Sequence, residues 1–120
     1  EMNGPLDRFM DYSYYFLEDN MNENKYQMML KKKIKDRLPE AIVLKNDPNY
    51  IQGIPDLLIL YKNKWAALET KKNENAKHRP NQDYYVEKMN DMSFASFIWP
   101  EHEEEVLDAL ERSLKRHKKR

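Results

Sequence analysis

Gly53-Ile54-Pro55-Asp56-Leu57-Leu58-Ile59-Leu60-Tyr61-Lys62-Asn63-Lys64-Trp65-Ala66-Ala67-Leu68-Glu69-Thr70-Lys71 decides how this chain is read. Two apolar runs flank a polar pair, Lys62 and Asn63, which predicts two strands joined by a two-residue turn. With that turn Tyr61 faces Lys64, and counting back along both strands sets Asp56 opposite Glu69. Directly paired residues in a hairpin share one face, with Cβ atoms about 4.5–5.5 Å apart. Lys71, two residues beyond Glu69, projects from the same face. The rest of both strands is apolar on both faces, so helices are expected on both sides.

The hairpin thus carries two carboxylates and an ammonium at one end of a buried structure. Like charges placed opposite each other are destabilising, and buried charge is costly unless paired or used. A structural salt bridge is the bland alternative, but two facing carboxylates are a poor way to build one. Hard oxygen ligands at this separation suit Mg²⁺ or Mn²⁺. Such an ion polarises a phosphoryl oxygen and activates water. A nearby lysine orients the water or offsets charge developing on phosphate. The chemistry this constellation fits is metal-assisted phosphodiester hydrolysis.

Outward from the hairpin, the periodicities give an ordered series of elements. Residues 21–38 read as a helix, with Tyr26, Leu30, Ile34 and Leu38 on one face and Pro39 ending it. Asn20 and Glu23 are spaced as a capping box, which is the plain reading of Glu23. Residues 41–45 form a short strand, followed by a loop through Pro48 and Gly53. After the hairpin a polar stretch leads to a helix opening at Pro80, with Gln82, Tyr85, Val86 and Met89 inward. Residues 93–99 make a fourth strand, and a last helix follows Pro100 with Val106, Leu107, Leu110 and Leu114 on one side. The order α-β-β-β-α-β-α predicts an α/β domain, a mixed β-sheet flanked by helices. Residues 21–114 form that domain, 1–20 an N-terminal arm and 115–120 a basic tail.

Glu103-Glu104-Glu105 could be taken for metal ligands, but in a first helical turn acids favour the macrodipole. His78 reads as a solvated loop residue, and His102 and His117 fall in charged helical surroundings. The seven methionines read as core filler.

Gly53-Ile54-Pro55-Asp56, the apolar hairpin and Glu69-Thr70-Lys71 together resemble the PD-(D/E)xK nuclease superfamily. With the later Gln82, the pattern is most similar to its virus-type replication-repair branch, the VRR-NUC domain, over roughly residues 21–110. The resemblance implies a restriction-endonuclease-like core and a metal-dependent DNA endonuclease. Small members are often phage proteins that cut branched DNA, such as four-way junctions, as dimers. By position, Asp56 and Glu69 would bind metal through carboxylates, Thr70 through its carbonyl, and Lys71 would be the catalytic lysine. Glu23 resembles the acidic residue many members place on the first helix. Gln82 with Tyr85 resembles a Gln-x-x-Tyr motif near the site or the DNA. Lys72, Lys77 and Arg79 follow the site directly and suit phosphate contact, which positions without reading sequence. Other nucleases on the same core (nicking, exonucleolytic, restriction-type) and a non-catalytic DNA-binding domain are the alternatives.

The chain has 120 residues, one small domain in size, with 35% charged and 40% hydrophobic residues. It has no cysteine, which excludes disulfides, cysteine zinc sites and thiol nucleophiles. No apolar run approaches the ~20 residues of a membrane span. These features lead to the expectation of an intracellular, cytoplasmic protein with no membrane partner. Basic and acidic residues balance at 21 each, and a zero net charge does not announce a nucleic-acid binder. The zero is a cancellation, however. Residues 1–20 carry −4, 21–38 carry +4, 61–79 carry +4, 101–111 carry −6 and 112–120 carry +6. The basic segments are candidates to hold a phosphate backbone. The five aromatics of the arm make residues 6–17 a candidate for homodimer contacts.

Overall fold

A computed structural model describes residues 23–116. The 1–20 arm, the Asn20 cap and His117 with the end of the basic tail lie outside the described residues. Helix α1 spans Glu23–Arg37 and is followed by strands β1 (Ile42–Lys45), β2 (Leu57–Tyr61) and β3 (Lys64–Thr70). Helix α2 (Pro80–Met92), strand β4 (Phe94–Ile98), a 3₁₀ turn (Pro100–His102) and helix α3 (Glu103–Lys115) complete the fold. The sheet order is β1-β2-β3-β4, antiparallel except for the parallel β3–β4 pair. This is an α/β fold with a mixed sheet flanked by helices, as the periodicities predict.

The β2–β3 register follows from the turn. Tyr61 pairs with Lys64, and the ladder runs back to Leu57 opposite Leu68. Lys62 sits at φ 56°, the left-handed conformation a tight hairpin turn demands. Side chains then alternate. Val43, Ile59, Ala66 and Leu68 join Tyr26, Leu30, Ile34, Leu107 and Leu110 in the main core, beneath α1 and α3. On the opposite face Ala67 and Ala95 pack with Val86 of α2 in a smaller core.

One expectation needs correction. The sequence predicts cover on both faces of the hairpin, yet α2 lies over β3 and β4, and Leu58 and Leu60 of β2 are only half-buried. Glu103, Glu104 and Glu105 fall in the first turn of α3, as expected, and the acids of this helix also bind α1. Buried Glu103 accepts from Tyr26 Oη at 2.9 Å and pairs with Lys33. Arg37 reaches Glu104, Asp108 and Glu111 at 2.8, 2.8 and 3.2 Å. The acids of α3 therefore clamp the cations of α1, and Lys33 and Arg37 are engaged within the fold.

Candidate active site

The loop between β1 and β2 delivers Asp56. Asn46 N donates to Asp56 O at 2.8 Å and Asn46 Nδ2 to Pro55 O at 2.7 Å, closing the neck of the loop. Gly53 has φ 90°, and a Cβ there would lie 2.4 Å from Asn81 Cβ in the first turn of α2. Only glycine permits both the conformation and the approach. The loop thus presses on the start of α2, forming a cleft of about 400 Å³ whose lining includes Gly53, Asp56, Glu69, Arg79 and Gln82.

Asp56 continues the β2 register and comes beside the end of β3. Its Oδ2 accepts from Thr70 N at 2.8 Å and from Thr70 Oγ1 at 2.6 Å. Lys71 N donates to Ile98 O at 2.8 Å, which prolongs the β3–β4 pairing and keeps Lys71 on the face of Glu69. Glu69 and Lys71 are buried, with 2% and 4% of their surface exposed.

Gln82 connects them. Its Nε2 donates to Glu69 Oε2 at 2.9 Å, and its Oε1 accepts from Lys71 Nζ at 2.7 Å. The same Oε1 accepts from Arg79 N at 3.1 Å, fixing the side chain at the N-terminus of α2. Gln82 was expected near the site or the DNA, and its amide lies inside the site between Glu69 and Lys71. Lys71 Nζ also donates to Lys77 O at 2.9 Å and lies 5.9 Å from the Phe97 ring centroid.

The electrostatics are tense. Burial pushes the Glu69 carboxyl up to about 8, helped by the charges of Asp56 and Glu23 and opposed by Lys71. Glu69 Oε1 is buried with no hydrogen-bond partner among the described residues. Glu23 is exposed at the start of α1, yet its pKa is raised, first by partial burial and then by Asp56. Lys71, Lys72 and Arg79 pull it back down, so all of them surround one region. Lys72, Lys77 and Arg79 are exposed at the rim. Tyr85 is half-buried, its ring edge against Tyr84 with centroids 5.0 Å apart.

Sequence reading missed Gln27. It is 5% exposed, donates from Nε2 to Thr70 Oγ1 at 3.1 Å, and its Oε1 is buried without a partner among the described residues. It belongs to a chain running Gln27–Thr70–Asp56 through the sheet. The available signal was its place four residues after Glu23, on one helix face. His78 is exposed in its loop and stacks on Phe97, and His102, beside Glu105, stacks on Trp99, with centroids 4.1 and 4.6 Å apart.

Among the described residues no group of three or more His, Asp or Glu side chains is gathered to hold a metal as it stands. The site offers two carboxylates, with the backbone of Thr70 between them. Glu69 Oε1, buried without a partner among the described residues, and the Asp56 carboxylate are hard oxygen donors. The donor set therefore fits a hard divalent ion. Among the described residues no helix is long and apolar enough to cross a membrane. Compared with protein-family models, curated proteins and solved structures, the chain matches none.

Proposed function

We propose that this chain is a divalent-metal-dependent DNA endonuclease of the PD-(D/E)xK superfamily and its VRR-NUC branch, acting on branched DNA as a homodimer. One observation carries the reading. Asp56 and Glu69 line one cleft at the end of the β2–β3 hairpin, with Lys71 bound to the same glutamine as Glu69. Such a cluster is expensive to bury and does little for stability, so a chemical use explains it better than a structural one.

In this reading Asp56, Glu69 and the Thr70 carbonyl would hold Mg²⁺ or Mn²⁺, with Glu23 as a further carboxylate ligand. The bound ion supplies Lewis acidity toward a phosphoryl oxygen and lowers the pKa of water. The chain's own residues do the rest. Lys71, held by Gln82 and the Lys77 carbonyl, directs its ammonium toward the attacking water and the developing phosphate charge. Gln82 fixes the spacing of Glu69 and Lys71. Lys72, Lys77 and Arg79 grip the phosphates flanking the reacting one. Thr70 and Gln27 keep Asp56 turned inward.

The test is cleavage of labelled four-way junction, flap, single-stranded and duplex DNA with Mg²⁺, Mn²⁺ or a chelator. Lys71→Ala and Asp56→Asn should each abolish cutting while leaving the melting curve cooperative. Activity that survives either substitution, or chelation, sinks the site. DNA binding without cutting under any metal would favour a non-catalytic binder. Product mapping separates junction resolution from nicking, exonucleolytic or restriction-type cutting.

A further inference from the structure

Strand β4 is the outer strand beside β3, and the two run parallel with Glu69 next to Phe97. Side chains alternate along a strand and neighbouring strands lie about 4.8 Å apart, so Phe97 shares the face of Glu69 one strand over. Trp99 follows two residues later with its backbone still extended, at φ −144° and ψ 162°. The Lys71 N to Ile98 O bond prolongs the pairing to this point, which sets Trp99 on the same face beside Lys71. A row of two aromatic rings therefore runs alongside the row of Glu69 and Lys71.

Each ring carries a histidine. The His78 imidazole stacks on Phe97 with centroids 4.1 Å apart and planes 23° from parallel, and His102 stacks on Trp99 at 4.6 Å and 19°. A carboxylate holds each imidazole: His78 Nδ1 lies 2.9 Å from Asp83 Oδ1, and His102 Nδ1 lies 2.7 Å from Glu105 Oε1. All four rings line one pocket of about 350 Å³, at the lower end of the range for ligand sites. None of the four is buried, so core packing alone does not account for them. Besides the imidazoles, the ionisable lining is acidic, from Glu74 and Glu87. Carboxylates turn a phosphate away and accept from the exocyclic amino groups of bases. Asn90 also lines the pocket; its Oδ1 accepts from Ala95 N at 3.0 Å, which leaves Nδ2 as the donor for a ring nitrogen or carbonyl.

Cations stand just outside. Lys77 and Arg79 flank His78 in the chain and are exposed, and the Lys71 ammonium is 5.9 Å from the Phe97 centroid. Sites for single-stranded nucleic acid combine a cationic track for the backbone with rings on which bases stack. We propose, resting on the nuclease reading for the identity of the polymer, that this pocket takes one unpaired nucleobase of the DNA strand whose phosphate lies at Lys71, stacked against the Phe97–His78 and Trp99–His102 pairs. A branch point interrupts base stacking and offers such a base at less cost than a continuous duplex. The pocket thereby favours branches and single-stranded ends without reading sequence, since every base has a π-face.

Equilibrium binding in chelator tests this without any cutting. The full chain is titrated, by fluorescence anisotropy, against duplexes with a short single-stranded flap that is either base-bearing or abasic throughout. The base-bearing flap should bind about 5- to 100-fold more tightly, the scale of one stacked base. Trp99→Ala and His78→Ala should erase most of that ratio while leaving abasic binding unchanged, and Trp99→Phe, which keeps a ring, should retain it. A ratio near one in the parent chain, a ratio intact in both alanine variants, or no binding to either flap overturns the pocket. 5-Iodouracil in the flap locates the base on the parent chain, so a variant that fails to fold does not decide the matter. Photo-crosslinks to His78 or to 97–102 are expected, and crosslinks only elsewhere refute the placement. Base-dependent binding by a chain that cuts no DNA with any metal would keep the pocket and retire the nuclease reading. Cutting without base dependence would do the reverse.

Discussion

Gln82 holds Glu69 by a 2.9 Å hydrogen bond and presents the other end of the same amide to Lys71. A neutral side chain thereby bridges the Glu69 carboxyl and the Lys71 ammonium and sets their spacing. Gln82→Ala should lower cleavage about 10–100-fold, the usual cost of losing an outer partner at a metal site. The loss should appear as weaker dependence on Mg²⁺ concentration as well as slower turnover. Titrating the metal at saturating DNA separates the two, and wild-type activity in this variant would remove Gln82 from the machinery.

Glu69 makes the stability of the metal-free chain depend on pH. Its ordinary value is 4.5, and in the fold it is about 8. The folded chain then holds the proton more tightly than the unfolded chain, so this group's contribution is fully present below about pH 4.5. It is lost as pH rises towards about 8, and no further loss follows above that. Glu69→Gln should flatten this slope and stabilise the metal-free protein at pH 8 by about 1–3 kcal/mol, the scale for relieving a buried unsatisfied group. Thermal melts from pH 5 to 9 in chelator would show it. Adding Mn²⁺ at pH 8 should raise the melting temperature of the parent chain and not of the variant.

Gly53→Ala tests the wall of the cleft. The new methyl meets Asn81 at 2.4 Å in a backbone conformation that disfavours any side chain. A cost of about 1–3 kcal/mol is expected from the conformation alone. Calorimetry should show the melting temperature falling by several degrees, and cleavage should fall further than stability as Asp56 shifts.

The clamp between α1 and α3 separates buried from exposed charge. Tyr26→Phe strips a donor from the buried carboxylate of Glu103 and should cost about 1–3 kcal/mol in urea unfolding. Arg37→Ala breaks three contacts, but they lie near the surface, so less than about 1 kcal/mol is expected, shrinking further in high salt. Equal losses for the two would contradict this assignment.

Asp56, Glu69 and Lys71 are legible as a group because the spacing around Lys62-Asn63 fixes their register before any tertiary contact is known. The helices are legible because Tyr26, Leu30 and Ile34, and Val106, Leu107 and Leu110, repeat at helical intervals. Gln27 is not legible: a polar residue beside an apolar stripe looks the same whether it meets water or, as here, Thr70 across the sheet. Nor is Gln82 as a bridge, since its first-turn position fits capping equally well. The partners of Arg37 lie 67 to 74 residues away, and only the packing of α1 on α3 brings them together. The half-open sheet was hidden for a related reason, because strand composition tells which faces want cover and not where the covering helix ends.

The two-residue turn at Lys62-Asn63 also works as a ruler. Strand side chains alternate, so one residue inserted there slides β2 against β3 and sends Asp56 and Glu69 to opposite faces. The other connections touch the site locally, but this turn alone sets the pairing of β2 with β3. A single-codon insertion at the far end of the hairpin that slips this register, five residue pairs from the cleft, would dismantle the site without touching any of its side chains.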